Sequence, residues 1–271
     1  MIGANLFFRA FELADKLLST RKLDAHALRA QRNWQETYKR MYPDGSGITI
    51  ISDHPVALES DDHILPRGTA LDSSTNRRFN QRLKSWFCDR TEISILDLGC
   101  AGGGFVRTIL EDGHLAVGLE GSDYSSIHRS GEWGICKHHL FTCDITKPFR
   151  IERYGECCTF DLITAWEVLE HIPEDQLDTL IANIADHLKP NGYFIGSVDT
   201  LPDGNPLKGA VYHVTLNDKQ WWLNKFRESA FEEIIDHPFV AEDYVRGNGL
   251  TIKDWHPSAG DAFHLVVHQG K

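Results

Sequence analysis

Apolar positions along the chain gather into short runs separated by amphipathic stretches. Residues 93–98 (ISILDL), 114–120 (HLAVGLE), 138–144 (HHLFTCD), 160–166 (FDLITAW) and 193–199 (YFIGSVD) each read as a short buried strand. Between them, 105–111, 173–188 and 217–226 carry apolar residues at helical spacing. Pro173 opens the second of these helices, and Lys189-Pro190-Asn191-Gly192 stops it. Residues 231–237 and 262–269 supply the last strands. Nearly continuous apolar strands alternating with helices predict a mostly parallel sheet covered on both faces, an α/β fold.

The pattern changes before residue 93. Residues 4–40 read as helical, with Leu6, Ala10, Leu13 and Leu17 on one stripe and Phe7, Phe11, Ala14 and Leu18 beside it. That stripe is expected to pack on a core; a homodimer or membrane-surface contact is the alternative. From Tyr42 to Thr75 the breakers Pro43, Gly45, Gly47, Pro55, Pro66 and Gly68 interrupt any regular element, and 76–90 reads as another helix. The expected division is a helical and loop cap over 1–92 and an α/β domain over 93–271. Neither an internal repeat nor a low-complexity tract is present.

Composition narrows the function classes. A formal net charge of -11 disfavours a nucleic-acid partner, whose phosphates call for clustered Lys and Arg. The only notable basic cluster is Arg67, Arg77, Arg78, Arg82, Lys84 and Arg90, and a solvated helix face is its expected use. No stretch approaches the roughly 20 apolar residues of a membrane span. Arg9, Glu12, Asp15 and Lys16 interrupt any signal-peptide core. The six cysteines lack CxxC spacing, and Cys157 and Cys158 are adjacent. A zinc site and a disulfide framework are both unexpected, so a cytoplasmic protein with reduced thiols is the reading.

The strongest chemical signal is ILDLGCAGGGF at 95–105. A strand runs into Gly99-Cys100-Ala101-Gly102-Gly103-Gly104 and then a helix. Glycines suit a turn where backbone approaches a ligand closely or needs positive φ. Asp97 precedes the turn. Glu120, followed by Gly121, ends the second strand, where a carboxylate can accept from both ribose hydroxyls. A dinucleotide-dependent dehydrogenase shares much of this, but the strand-end acid in D-x-G-x-A-x-G and the further acid Asp144 speak against it.

The blocks ILDLGCAGGG, VGLEGSD, CDITKPF, FDLITAWEVLEHI and LKPNGYFIGSV resemble the class I S-adenosylmethionine-dependent methyltransferases over about two thirds of the chain. That resemblance implies a Rossmann-like seven-stranded sheet with only the last-inserted strand antiparallel. It also implies that Asp97, Gly99, Cys100, Ala101, Gly102 and Gly103 bind the methionine and ribose parts of S-adenosylmethionine, and that Glu120 and Gly121 hold the ribose. Asp144 would meet the adenine amino group with Ile145 beside the ring, and Trp166 would line the pocket. Ala101 stands where the family often has glycine. For Asp144 the competing reading is a helix N-cap ahead of Pro148.

The acceptor is less legible. Methyl transfer to a hydroxyl needs a base or a metal to take up its proton. In WEVLEH (166–171), helical spacing would bring Glu167, Glu170 and His171 onto one face, and His213 precedes a later helix. This ExxEH…H pattern resembles the divalent-metal site of the plant small-RNA 2′-O-methyltransferases, and a similar ExxEH occurs in ubiquinone-biosynthesis O-methyltransferases. It implies Mg²⁺ or Mn²⁺ held by Glu167, Glu170, His171 and His213. Without a metal, His171 or His213, with Glu170, is the candidate proton acceptor. In the cap, His54, Asp61, Asp62, His63 and Arg67 offer polar groups for a sugar or other polyol. The expected activity is O-methylation of a small polyhydroxylated acceptor, a sugar or glycan first. RNA-terminus methylation and a non-catalytic cofactor-binding subunit are the alternatives.

Overall fold

The computed structural model describes residues 26–205, 207–245 and 262–270. The apolar stripe at Leu6–Leu18 lies outside them. Seven strands form the central sheet: β1 (Ser94–Leu98), β2 (Leu115–Glu120), β3 (Leu140–Thr142), β4 (Phe160–Trp166), β5 (Leu188–Asp199), β6 (Phe231–Glu233) and β7 (Ala262–Gln269). Their order is β3-β2-β1-β4-β5-β7-β6. β1 pairs parallel with β2 and with β4, β2 with β3, and β4 with β5. β7 alone is antiparallel to its neighbours, β5 and β6. This is the Rossmann-like architecture the strand pattern and the resemblance imply.

The described helices are α1 (26–41), α2 (Asp61–Ile64), α3 (Arg67–Leu71), α4 (Arg77–Trp86), α5 (Gly104–Glu111), α6 (Tyr124–His128), α7 (Leu177–His187) and α8 (Lys219–Glu228). α7 and α8 close part of the core, bringing Leu177, Ile181, Ile184, Trp222 and Phe226 into one apolar cluster with Ile163 and Phe194. Elsewhere, Phe79 of α4 meets Phe105 of α5 and Trp166 of β4 edge-on, at 5.7 and 5.0 Å between centroids.

Several elements depart from the sequence pattern. Lys189-Pro190-Asn191-Gly192 does follow the end of α7, yet the strand already begins at Leu188: Leu188 pairs with Phe160 and Tyr193 with Leu162, and 189–192 bridge the two as an irregularity in the register. β6 is shorter than the expected 231–237, since its pairing with β7 covers only Phe231–Glu233. The chain divides into two compact units, Met1–Gly45 and Ser46–Lys271. Residues 46–92, grouped with the cap by pattern, therefore belong with the sheet. Ile48–Ile51 pairs antiparallel with Arg150–Arg153, forming with Glu156–Cys157 a small second sheet. Gly204–Asn205 pairs antiparallel with Ala210–Val211. Among the described residues no helix is long and apolar enough to cross a membrane.

Candidate active site

Strand order reverses between β1 and β4, and the crevice beyond the carboxyl ends of such strands is where α/β sheets bind ligands. The glycine turn lies there. Gly99, Ala101 and Gly103 have φ of 68°, 46° and 80°, a left-handed run that glycine accepts freely and alanine at a cost. At Ala101 the conformation is held from both sides of the peptide. Its N–H donates to Glu120 Oε2 at 2.7 Å, and its carbonyl accepts from Trp133 Nε1 at 2.7 Å. A Cβ on Gly102 would lie 2.6 Å from the Asp72 carbonyl, so the crowding comes from a covering segment as much as from the turn. Cys100 is buried, with its thiol pushed well up by burial and by the nearby Glu120 and Asp97.

Three carboxylates edge this crevice. Asp97 is buried and accepts from Thr164 Oγ1 at 2.7 Å. Burial lifts its carboxyl to about 7, with Thr164 pulling down and Glu120 pushing up. Glu120 accepts from Ala101 N at 2.7 Å, Ser122 N at 3.1 Å and Thr69 Oγ1 at 3.1 Å; burial raises it against those donors. Asp144 accepts from Thr146 N and Thr146 Oγ1 at 2.9 and 2.6 Å. It thus caps a turn rather than a helix, because Pro148 follows before any helix can start. Ile145 belongs to the apolar core.

A strap over 54–73 runs along this edge of the sheet. His54 O accepts from Asp144 N, Ala57 N donates to Gly121 O, and Asp72 O accepts from Gly102 N, all at 2.9 Å. On the acceptor side, Asp61 Oδ2 accepts from Val211 N at 2.7 Å, Leu65 O from Tyr212 Oη at 3.0 Å, and Asp203 pairs with Arg67 at 3.4 Å.

Beyond β4 the chain is not helical where the spacing predicts it. Glu167 has φ of 53°, its N–H held by Ser197, and only a 3₁₀ turn, Leu169–His171, follows. The i, i+4 face is therefore absent, and a tertiary arrangement replaces it. Ligand atoms of Glu170, His171 and His213 lie within 4.8 Å of one another. Glu167, the fourth expected ligand, is outside that group. Glu170 is fully buried; Oε1 accepts from Asp199 N at 2.8 Å, and Oε2 has no hydrogen-bond partner. Burial pushes its carboxyl up to about 7, while His171 and the Asp199 N–H pull down. His171 Nδ1 meets Asp62 Oδ2 at 2.7 Å, and His213 Nδ1 meets Leu201 O at 2.5 Å. Burial opposes charge on His171, yet Asp62 lifts it above the usual imidazole value.

A methyltransferase-domain sequence profile matches residues 70–237, more than half of the chain. This chain belongs to the class I S-adenosylmethionine-dependent methyltransferases. It is 27% identical over 106 residues to a ubiquinone biosynthesis O-methyltransferase of Histophilus somni; the match covers 38% of this chain and 43% of that relative, so the chain spans less than half of its length. Among solved structures, the glycopeptide N-methyltransferase MtfA complexed with S-adenosylmethionine superposes with a TM-score of 0.48 at 14% identity, covering 72% of this chain and 95% of that one. The N-methyltransferase NodS of Bradyrhizobium japonicum superposes at 0.44 with 17% identity, over 72% and 96%.

In this methyltransferase the residues read from sequence fall into two groups at one edge. Asp97, the Gly99–Gly103 turn, Glu120, Gly121 and Asp144 form the first, and Glu170, His171 and His213 the second. Trp166 points instead into the aromatic cluster with Phe79, Phe105 and Tyr244, its Nε1 buried without a hydrogen-bond partner. Most of the basic cluster is paired within the chain: Arg77 with Glu111 and Asp112, Arg78 and Arg82 together with Asp243, Arg90 with Asp161. The residues that pattern reading missed are Thr69, Asp72 and Trp133. Their partners are distant in sequence, and no periodicity marks them.

Proposed function

We propose that this methyltransferase is O-directed, moving a methyl group from S-adenosylmethionine to a hydroxyl of a small polyhydroxylated acceptor, a sugar or glycan first. A divalent ion, Mg²⁺ or Mn²⁺, held by Glu170, His171 and His213 belongs to this reading. The observation that carries it is their convergence, with each ligand atom prepared from behind. Glu170 Oε2 is buried with no other partner, a costly state unless a cation answers it. The two imidazoles spend Nδ1 on Asp62 and on the Leu201 carbonyl, which leaves Nε2 of each for a ligand. Mixed carboxylate and imidazole donors suit such an ion.

When bound, the ion would acidify a coordinated hydroxyl. The chain itself supplies alignment, since methyl transfer is an in-line displacement that gains most from positioning. The Glu120 carboxylate suits the ribose of the donor, and the Asp97 carboxylate suits its methionine ammonium. Asp61, Asp62, Asp199 and Asp203 give the acceptor side an acidic rim, which favours a neutral polyol over a phosphate-bearing acceptor. The curated relative's name supports oxygen as the accepting atom.

The test is methyl transfer to a panel of sugars, catechols and amines, with Mn²⁺ or with EDTA, alongside Mn²⁺ calorimetry. Hydroxyl methylation that falls at least about tenfold on chelation, together with Mn²⁺ binding weakened by His213→Ala, is expected. Methylation of amines alone would sink the oxygen assignment. Chelator-insensitive turnover would sink the ion.

A further inference from the structure

The strap does more than cover the sheet edge, because one of its side chains reaches the acceptor-side cluster from outside. Asp62 and His171 are 109 residues apart, and the carboxylate Oδ2 lies 2.7 Å from His171 Nδ1. Asp62 sits in α2, whose N-cap Ser60 accepts from Asp62 N at 3.2 Å. The adjacent Asp61 is held by Val211 N, two residues before His213. None of the α2 side chains is buried, and α3 buries only Thr69. Ile64 and Leu71 are 61% and 82% exposed, so apolar packing contributes little to keeping these helices down. Their contacts are polar ones, made to Gly102 and Glu120 at one end and to the 203–212 region at the other.

We propose that Asp62 is a positioning residue: the strap delivers its carboxylate to His171, fixes the ring as the Nδ1–H tautomer, and turns Nε2 toward Glu170 and His213. A neutral imidazole has one bare nitrogen, and the hydrogen bond made by the other nitrogen decides which. With Asp62 in place the bare nitrogen is Nε2. With the strap raised, the ring is free to rotate and to exchange tautomers, and the three-residue cluster loses its geometry. The site is complete only when the strap is down. The ion-binding consequence rests on the reading under Proposed function; the tautomer does not.

Two measurements on the full chain separate those claims. The first is the imidazole nitrogen spectrum of His171 in metal-free protein at alkaline pH, in wild type, Asp62→Asn and Asp62→Ala. Wild type is expected to show the Nδ1–H form, and Asp62→Ala to shift toward the Nε2–H form that free imidazole side chains favour. An identical His171 spectrum in wild type and Asp62→Ala overturns the proposal. The second is Mn²⁺ affinity by calorimetry, expected to weaken about 10- to 100-fold in Asp62→Ala and to be partly restored in Asp62→Glu. S-adenosylhomocysteine affinity measured on the same samples reports that the fold is intact. Wild type that binds no Mn²⁺ but shows the Nδ1–H form defeats the ion and leaves Asp62 as the positioning residue. Mn²⁺ affinity unaltered by Asp62→Ala defeats the positioning of Nε2.

Discussion

Glu120 answers three donors at once, from Thr69, Ala101 and Ser122, inside a buried crevice. One of those donors is the Ala101 amide of the glycine turn, so the carboxylate supports the loop in addition to the ribose contact proposed for it. Glu120→Gln keeps the volume but turns one acceptor into a donor facing the Ala101 or Ser122 amide. Hydrogen bonds to charged groups are worth about 1.5–3 kcal/mol, so S-adenosylhomocysteine affinity should fall by roughly tenfold or more in calorimetry. Asp97 yields a pH prediction. With its carboxyl lifted to about 7 by burial, the ligand-free fold holds a proton there that the unfolded chain, at 3.8, has released. Stability from this group therefore declines as pH rises between those values. Affinity for the cationic methionine end runs the other way, rising with pH toward 7 and then levelling. In Asp97→Asn the affinity should be lower and its pH dependence flat; an unchanged slope would remove Asp97 from the ligand. These acids were legible in sequence because strand ends are marked by the shift from apolar run to glycine. Thr69 was not, since one threonine in a Pro- and Gly-broken stretch carries no signal.

At the scale of elements, contacts across the sheet settle what local spacing leaves open. WEVLEH has helical spacing, yet Glu167 is held left-handed by Ser197 on β5, and the chain folds as a 3₁₀ turn. The three candidate ligands were legible as residue types, but the geometry joining them was not, because His213 arrives on a separate irregular segment. Strands with unbroken apolar runs, such as β4, appear at their predicted bounds. Asp161 shows how β1 and β4 are joined at the opposite edge. It accepts from Ser94 N at 2.8 Å and from Lys189 Nζ at 2.9 Å, and pairs with Arg90. Burial alone would raise its carboxyl, but Lys189 and Ser94 outweigh it and hold the group below the usual aspartate range. A depressed carboxyl contributes stability that is present above the unfolded value and is lost as pH falls through the folded one. Asp161→Asn should cost about 2–3 kcal/mol at neutral pH in urea melts and narrow the difference from wild type in acid. Gly102→Ala tests the strap: with the Asp72 carbonyl 2.6 Å from the new Cβ, the strap must lift. Faster amide exchange over 57–73, with the sheet unchanged, is the expected result.

The molecule as a whole carries its charge in a way that fits a small acceptor. Its net charge is -11, and Arg77, Arg78, Arg82 and Arg90 are each paired with a carboxylate of the same chain. Single-stranded RNA should accordingly bind weakly in fluorescence anisotropy, without the steep salt dependence of phosphate neutralisation. Tight, salt-sensitive binding would reverse the choice of acceptor.

The antiparallel strand β7 also has a temporal meaning. It is made last among the described strands, yet it lies between β5 and β6, and β6 has no other neighbour. On the ribosome the half-sheet bearing the glycine turn emerges well before residues 262–269. Until then β5 presents an open edge, with unpaired backbone groups that any extended chain could join. The half bearing the glycine turn can thus assemble during synthesis, while closure of the far side waits for β7. Stalling translation before residue 262 should leave a nascent chain whose vulnerability to misassociation is concentrated on β5.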